Sequence, residues 1–321
     1  MPQARGTQAA FNLYDEDTFG QDPTTPSGTV LHVKSFGVSS SQKLEQSETL
    51  SGTRGRSKPV QGNIDVAGDI AVEMAPESIG QLLRHAFGSN TDSGSDPYTH
   101  TLDIGALPTG MTLEKDYGAN ISGAGRVEKF NGCRVGSVKF EFPQSGFPMA
   151  TFSTKGAVSA LAASALDSSP TDNGHTPWSA FEASIEEGGS SIAIVTACEF
   201  TLDNGLDDGD YVIGSNERAQ LPEGFATVSG QITALFEDPT LLNKAINGTS
   251  SSLKITLSRG DGLGSAGNES LEFNLQQLLY ERQSPPVEGP KGILITLPFQ
   301  VFRSGANLGL QAVLKNALAT I

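Results

Sequence analysis

The sequence predicts a mainly β protein made of two tandem β-sandwich-like domains, each with one short α-helix, behind an extended N-terminal arm. Three observations carry this expectation: an internal repeat, period-two alternation of apolar residues inside the repeated segments, and a short amphipathic helical stretch at the same place in each copy. Residues 30–70 match residues 192–232 without a gap, at an offset of 162. Identities fall at Val33/Val195, Gly52/Gly214, Arg56/Arg218, Gly62/Gly224, Val66/Val228, Gly68/Gly230 and Ile70/Ile232, and Glu48/Asp210 is conservative. Each copy runs in the same order: a strand, a polar loop, a second strand, a helix.

The second strand reads GNIDVAGDIAVEM over 62–74 and GFATVSGQITALF over 224–236. Apolar residues alternate with small or polar ones, as in a strand with one buried face. Helices are expected next, over 76–88 and 238–248. Pro76 and Pro239 suit a first turn, where no amide hydrogen bond is lost, Asp238 can cap free N–H groups, and Gly88 and Gly248 suit a left-handed end. Ile79, Leu82, Leu83 and Phe87 make one apolar stripe that would pack on a sheet.

Farther along, 135–142 matches 294–301 at an offset of 159, each followed by a Ser-Gly pair and each read as part of a hairpin. This gives domains at 30–159 and 177–321 with a linker at 160–176, rich in Ala, Ser, Asp and Pro. Residues 1–29 lie outside the repeat and read as an arm that orders only against a partner.

Composition bounds the function. A formal net charge of −15 argues against tight nucleic-acid binding, which needs Lys and Arg to neutralise phosphates. No apolar run approaches the ~20 residues of a membrane-spanning helix, and the N-terminus lacks the apolar core of a signal peptide, so a cytosolic origin is expected. Cys133 and Cys198 stand alone, which favours small core residues over a disulfide or zinc site.

Other motifs point away from chemistry. Residues 262–267 fit GxGxxG, but Leu271, Phe273 and Leu275 then alternate as a strand, so a hairpin turn is expected and not a dinucleotide site. Residues 203–210 have the oxygen density of a calcium loop without its spacing or its terminal Glu. His85 lies beside the helix stripe and is expected to bond a neighbouring loop. No catalytic residue, cofactor or metal is assigned, and the chain is read as a structural protein, not an enzyme.

Several segments together carry a resemblance: 59–62 (PVQG) leading to 66–70 (VAGDI) and the Leu82-Leu83 helix, then 98–102 (YTHTL), 111–115 (MTLEK), 130–135 (FNGCRV) and 143–146 (PQSG). Over about residues 30–157, and more loosely through the repeat, the chain resembles the major tail tube proteins of long-tailed, non-contractile bacteriophages and prophages. The resemblance implies a virion protein, made in the host cytoplasm, whose stacked rings form a hollow tail tube for DNA delivery. It implies as partners further copies of itself, a tape-measure protein in the lumen, and tail terminator and distal tail proteins at the ends. Phage DNA would pass through without specific binding. Single-domain relatives form rings of six chains, so two fused domains would make a trimer with pseudo-sixfold symmetry.

The two polar loops differ in sign. Residues 39–58 carry Lys43, Arg54, Arg56 and Lys58 against two Glu, and residues 203–220 carry Asp203, Asp207, Asp208, Asp210 and Glu217 against Arg218. Lys43, Arg54, Arg56, Lys58, Asp207, Asp208 and Asp210 are therefore candidates for contacts that register one ring on the next. A carboxylate-rich lumen wall is also expected. The competing readings are a secreted or surface β-rich adhesin or carbohydrate-binding module, another capsid or tail subunit, and an enzyme on a β scaffold.

Overall fold

The computed structural model describes residues 3–50, 52–192, 194–207, 210–287, 289–290, 292–305 and 307–321. Strands dominate, and the two α-helices are Gly80–Phe87 and Thr240–Asn247. An antiparallel sheet runs from the edge formed by Ser35–Phe36 and Ser39–Glu45 through Val60–Glu73 and Met149–Gly156 to the second part of Val127–Phe142. It continues without a break through Val195–Asp203, Thr227–Leu235 and Leu294–Val301 to the end of Ser270–Tyr280.

The first part of Val127–Phe142 leaves this sheet and pairs with Met111–Asp116 on one side and Val158–Ala162 on the other. Ser270–Tyr280 does the same with Ser251–Ser258 and Leu310–Asn316. Each half thus uses one long strand to feed two sheets. A hairpin of Gly88–Gly94 and Tyr98–Ile104, which has no counterpart in the second half among the described residues, pairs with Leu310–Asn316 and ties the first half to the second.

The internal repeat is reproduced in hydrogen-bond register. Phe36 faces Ile70 and Ser40 faces Val66, and at an offset of 162 Cys198 faces Ile232 and Leu202 faces Val228. The repeated residues serve the same purpose twice. Val66 and Val228 are buried, as are Ile70 and Ile232. At Gly68 a Cβ would lie 2.6 Å from Val38 Cα, and at Gly230 2.7 Å from Phe200 Cβ, so both glycines permit the same close approach of neighbouring strands.

Between the sheets, Phe140 packs at 4.6 Å from Phe273 and 4.8 Å from Phe200. Leu82, Leu83 and Phe87 bring the first helix onto the same core, and Ile79, which precedes the helix, joins them. Asp238 accepts a hydrogen bond from Thr240 N at 2.7 Å and starts the second helix, which Gly248 ends in the left-handed region.

Four sequence expectations are corrected. The segment 1–29 is not a free arm: Ala10–Asp15 pairs along its length with Met111–Asp116, and Leu13 and Tyr14 are fully buried. It takes the place in the first half that Ala183–Glu187 takes in the second. Its six residues show too little alternation to announce a strand. The proposed linker begins inside the strand Val158–Ala162, and its later part is fastened to the first half, where Leu166 N donates to Glu114. The first helix starts at Gly80, after a turn that includes Pro76.

The match of 135–142 to 294–301 is also displaced. Leu294–Val301 lies beside Thr227–Leu235 as Met149–Gly156 lies beside Val60–Glu73, so 149–156 is its counterpart. Alternation is shared by all half-buried strands, so a gapless match can settle on the adjacent one.

Candidate assembly surface

The two halves meet edge to edge. Residues 137–142 pair antiparallel with 198–203, Phe140 opposite Phe200 and Val138 opposite Leu202. On the core side this seam is aromatic. On the other face Lys139 Nζ reaches Glu141 and Glu199, each at 2.9 Å. Hydrogen bonding from Glu199, then Glu141, pushes the Lys139 ammonium pKa up, and the same contact with Lys139 outweighs burial and holds Glu199 below its ordinary range.

The loop after Val195–Asp203 folds back across the first half. Asn204 Nδ2 donates to Ala86 O at 2.9 Å and Val135 O at 3.0 Å. Tyr211 donates its hydroxyl to Ile64 O at 2.7 Å, and Ile64 N donates to Asn216 O at 2.8 Å. Arg218 is buried: its Nη1 donates to Gly156 O at 2.8 Å, its Nη2 reaches Asp65, and its guanidinium lies over the Tyr211 ring. Arg134 Nη1 completes the clasp by donating to Leu221 O and Glu223, both at 2.9 Å.

Beyond the core, the long sheet presents its second face. Asp65, Asp69, Glu73, Glu141, Glu199 and Asp203 alternate with the buried residues there, against Lys139 and Lys155. The remaining positions on this face include Ser153, Thr201, Ser229, Gln231 and Thr233. The face is acidic, short-chained and rich in hydroxyls.

The sequence-predicted loop residues fall apart into two groups. Lys43 lies on Ser39–Glu45, and Arg54, Arg56 and Lys58 follow it; all four are exposed, with Arg56 Nη1 donating to Gln46 Oε1 at 3.2 Å. Asp207 N donates to Pro222 O, Asp210 accepts from Gln220 Nε2 at 2.9 Å, and Asp208 lies outside the described residues. Asp207 and Asp210 are exposed and bond within their own loop, while the basic loop projects from a sheet edge.

His85 is buried with Nε2 2.8 Å from Asp15 Oδ1, the end of a strand and not the loop expected. Burial disfavours ionised Asp15, but hydrogen bonds from His85 and Arg84 outweigh it and hold its carboxyl well below the usual range. Burial also lowers the His85 pKa. Asp15 and Arg84 line a polar cavity of about 550 Å³ with Asp17, Glu77 and Gln81, and Arg84 and His85 both bond to Asp15. Cys133 and Cys198 are buried free thiols, as expected.

The sheet runs unbroken across two like-registered halves, with an acidic outer face and an exposed strand at its first edge. The phage tail tube protein family model matches residues 6–301. The chain belongs to the phage tail tube protein family. No curated protein sequence matches it significantly. It is a structural component of a phage tail, and among the described residues no helix is long and apolar enough to cross a membrane. The match takes in the strand Ala10–Asp15, in keeping with its place in this tail tube protein's core. Sequence reasoning missed the clasp of Tyr211, Arg218 and Arg134, although the Arg56/Arg218 identity was its one visible signal.

Proposed function

We propose that three copies of this tail tube protein close into a ring with pseudo-sixfold symmetry and that such rings stack into a hollow tube through which DNA leaves the virion. The observation that carries this reading is the relation between the sheet's middle and its ends. At the internal seam, 198–203 of the second half adds to 137–142 of the first. The counterpart of 198–203, residues 36–41, is the sheet's first edge, and Leu278–Tyr280, which answers to 133–135, is at its last, so that the residues just after Tyr280 answer to 137–142. The first end holds one side of the joint made in the middle, and the last end leads directly into the segment equivalent to its other side. A second chain can therefore add by the same antiparallel pairing, and a repeated head-to-tail joint closes into a ring.

In that ring the acidic face of the long sheet is the bore. Carboxylates and hydroxyls there repel a polyanion weakly and let DNA slide, and a tape-measure protein occupies the same space during assembly. Tail terminator and distal tail proteins would cover the two ends of the tube. The two domains are taken as the halves that repeat, with Ala10–Asp15 in the first. Ring-to-ring register is assigned to the exposed basic residues Lys43, Arg54, Arg56 and Lys58 against Asp207, Asp208 and Asp210.

The mass of one isolated disc tests the reading. Three chains of 33.5 kDa are expected. A disc of six chains would discard the trimer, and a mapped bore potential that is positive would discard the lumen assignment.

A further inference from the structure

Most identities between the two repeats have the same surroundings in both copies; Leu44/Leu206 and Arg56/Arg218 do not, Leu44 being 65% exposed where Leu206 is half-buried. Val33 and Val195 pack on the core, Gly52 and Gly214 both have positive φ, Gly62 and Gly224 both approach a neighbouring backbone, and the Val66, Gly68 and Ile70 pairs behave alike. Arg218 is buried against the other half, whereas Arg56 is exposed on a loop and donates to Gln46. The same residue is thus buried across the internal seam and solvent-exposed at the outer edge.

The register identifies the place where Arg56 would be engaged. Arg218 sits at the pair Val66–Gly156, and its counterpart in the second half is the pair Val228–Val301. Val301 lines an open groove of about 400 Å³ with Leu279, Tyr280, Glu281, Gln300 and Phe302, at the free end of the sheet. Asp65, which neutralises Arg218, has Thr227 as its counterpart, so the carboxylate is missing from that position. Glu281 supplies one instead: it is exposed in the groove and accepts a hydrogen bond from Gln300 Nε2 at 2.9 Å. Leu279 and Phe302, each 39% exposed, give the groove apolar walls for the stem of an arginine.

We infer that Arg56 of one copy of this chain seats in the groove of Leu279, Tyr280, Glu281, Gln300, Val301 and Phe302 of the next copy, paired with Glu281, and so repeats between subunits the clasp that Arg218 makes within one. This rests on the ring reading and removes Arg56 from the contacts between stacked rings. It makes Arg56 a lateral residue, needed to close a ring before any ring stacks. Continuity with the internal seam and the opposite charges of Arg56 and Glu281 both select a second copy as the occupant.

The test is ring formation by purified full-length chain, read by native mass and negative-stain images. Arg56→Glu and Glu281→Arg should each lower the fraction of chain in closed rings by about tenfold or more, the change that a loss of one such contact gives. The double variant should restore rings, because the pair is re-formed with its charges exchanged. Arg54→Glu should leave single rings intact. Closed rings from Arg56→Glu that fail only to stack would overturn the inference, as would a double variant no better than either single one. Both outcomes leave a three-chain wild-type ring standing, whereas a six-chain or absent wild-type ring removes the ring reading itself.

Discussion

Replacing Arg218 with methionine measures how the two halves are held together. The guanidinium is buried and donates to Gly156 O at 2.8 Å, with Val66 O farther away at 3.4 Å. A hydrogen bond from a charged donor contributes about 1.5–3 kcal/mol, and a buried carbonyl left without a donor costs about 1–3 kcal/mol. Methionine keeps most of the apolar stem, so the loss is roughly 3–5 kcal/mol, similar to breaking a buried ion pair from one side. Asp65 differs, because its side chain is 57% exposed and its attraction to Arg218 is screened by water. Asp65→Asn should therefore cost less than about 1 kcal/mol. Urea unfolding of the unassembled chain at low concentration reads both values from the midpoint at constant slope. Equal losses from the two variants would refute the reasoning, since the stability would then lie in the ion pair and not in the carbonyls that Arg218 covers.

Other outcomes follow from the same contacts. Phe140→Ala removes a ring packed on Phe152, Phe200 and Phe273 and should cost about 3–5 kcal/mol by thermal or urea unfolding. Asp238→Ala should lower Tm through the second helix, since Thr240 N loses its acceptor; a variant indistinguishable from wild type would deny the cap. Asp15 has a folded pKa below its unfolded value of about 3.9, so its contribution is complete above that pH and is lost as pH falls through the folded value. His85 has a lowered pKa, so its protonation in the unfolded chain also favours unfolding below about pH 6.5. Tm should fall on acidification, and the gap between wild type and Asp15→Asn should narrow below about pH 4; a gap that widens there would contradict the sign.

The repeat was legible because its identities are imposed by backbone geometry. Gly68 and Gly230 allow a strand to approach closely, and Val66, Val228, Ile70 and Ile232 face the core, so the residue types survive wherever the same strands pair. The helices were legible through Asp238, Gly88, Gly248 and the Leu82-Leu83 stripe. The strand Ala10–Asp15 was not, because its pairing with Met111–Asp116 spans about a hundred residues and its six positions carry little pattern of their own. The assembly surface was only partly legible. Charge alone grouped Arg56 with Arg54 and Lys58, and nothing local in the chain marks Arg218 as buried by the other half. What separates them is which strand lies beside each loop, a long-range fact fixed by the sheet's register.

The most direct measurement is a symmetry-averaged image of the assembled tube at a resolution that separates strands. Three chains should encircle each annulus, with residues 36–41 of one laid antiparallel on the segment that follows Tyr280 of the next. Six chains to an annulus, or neighbours joined through the opposite sheets with both of those strand edges left bare, would contradict it.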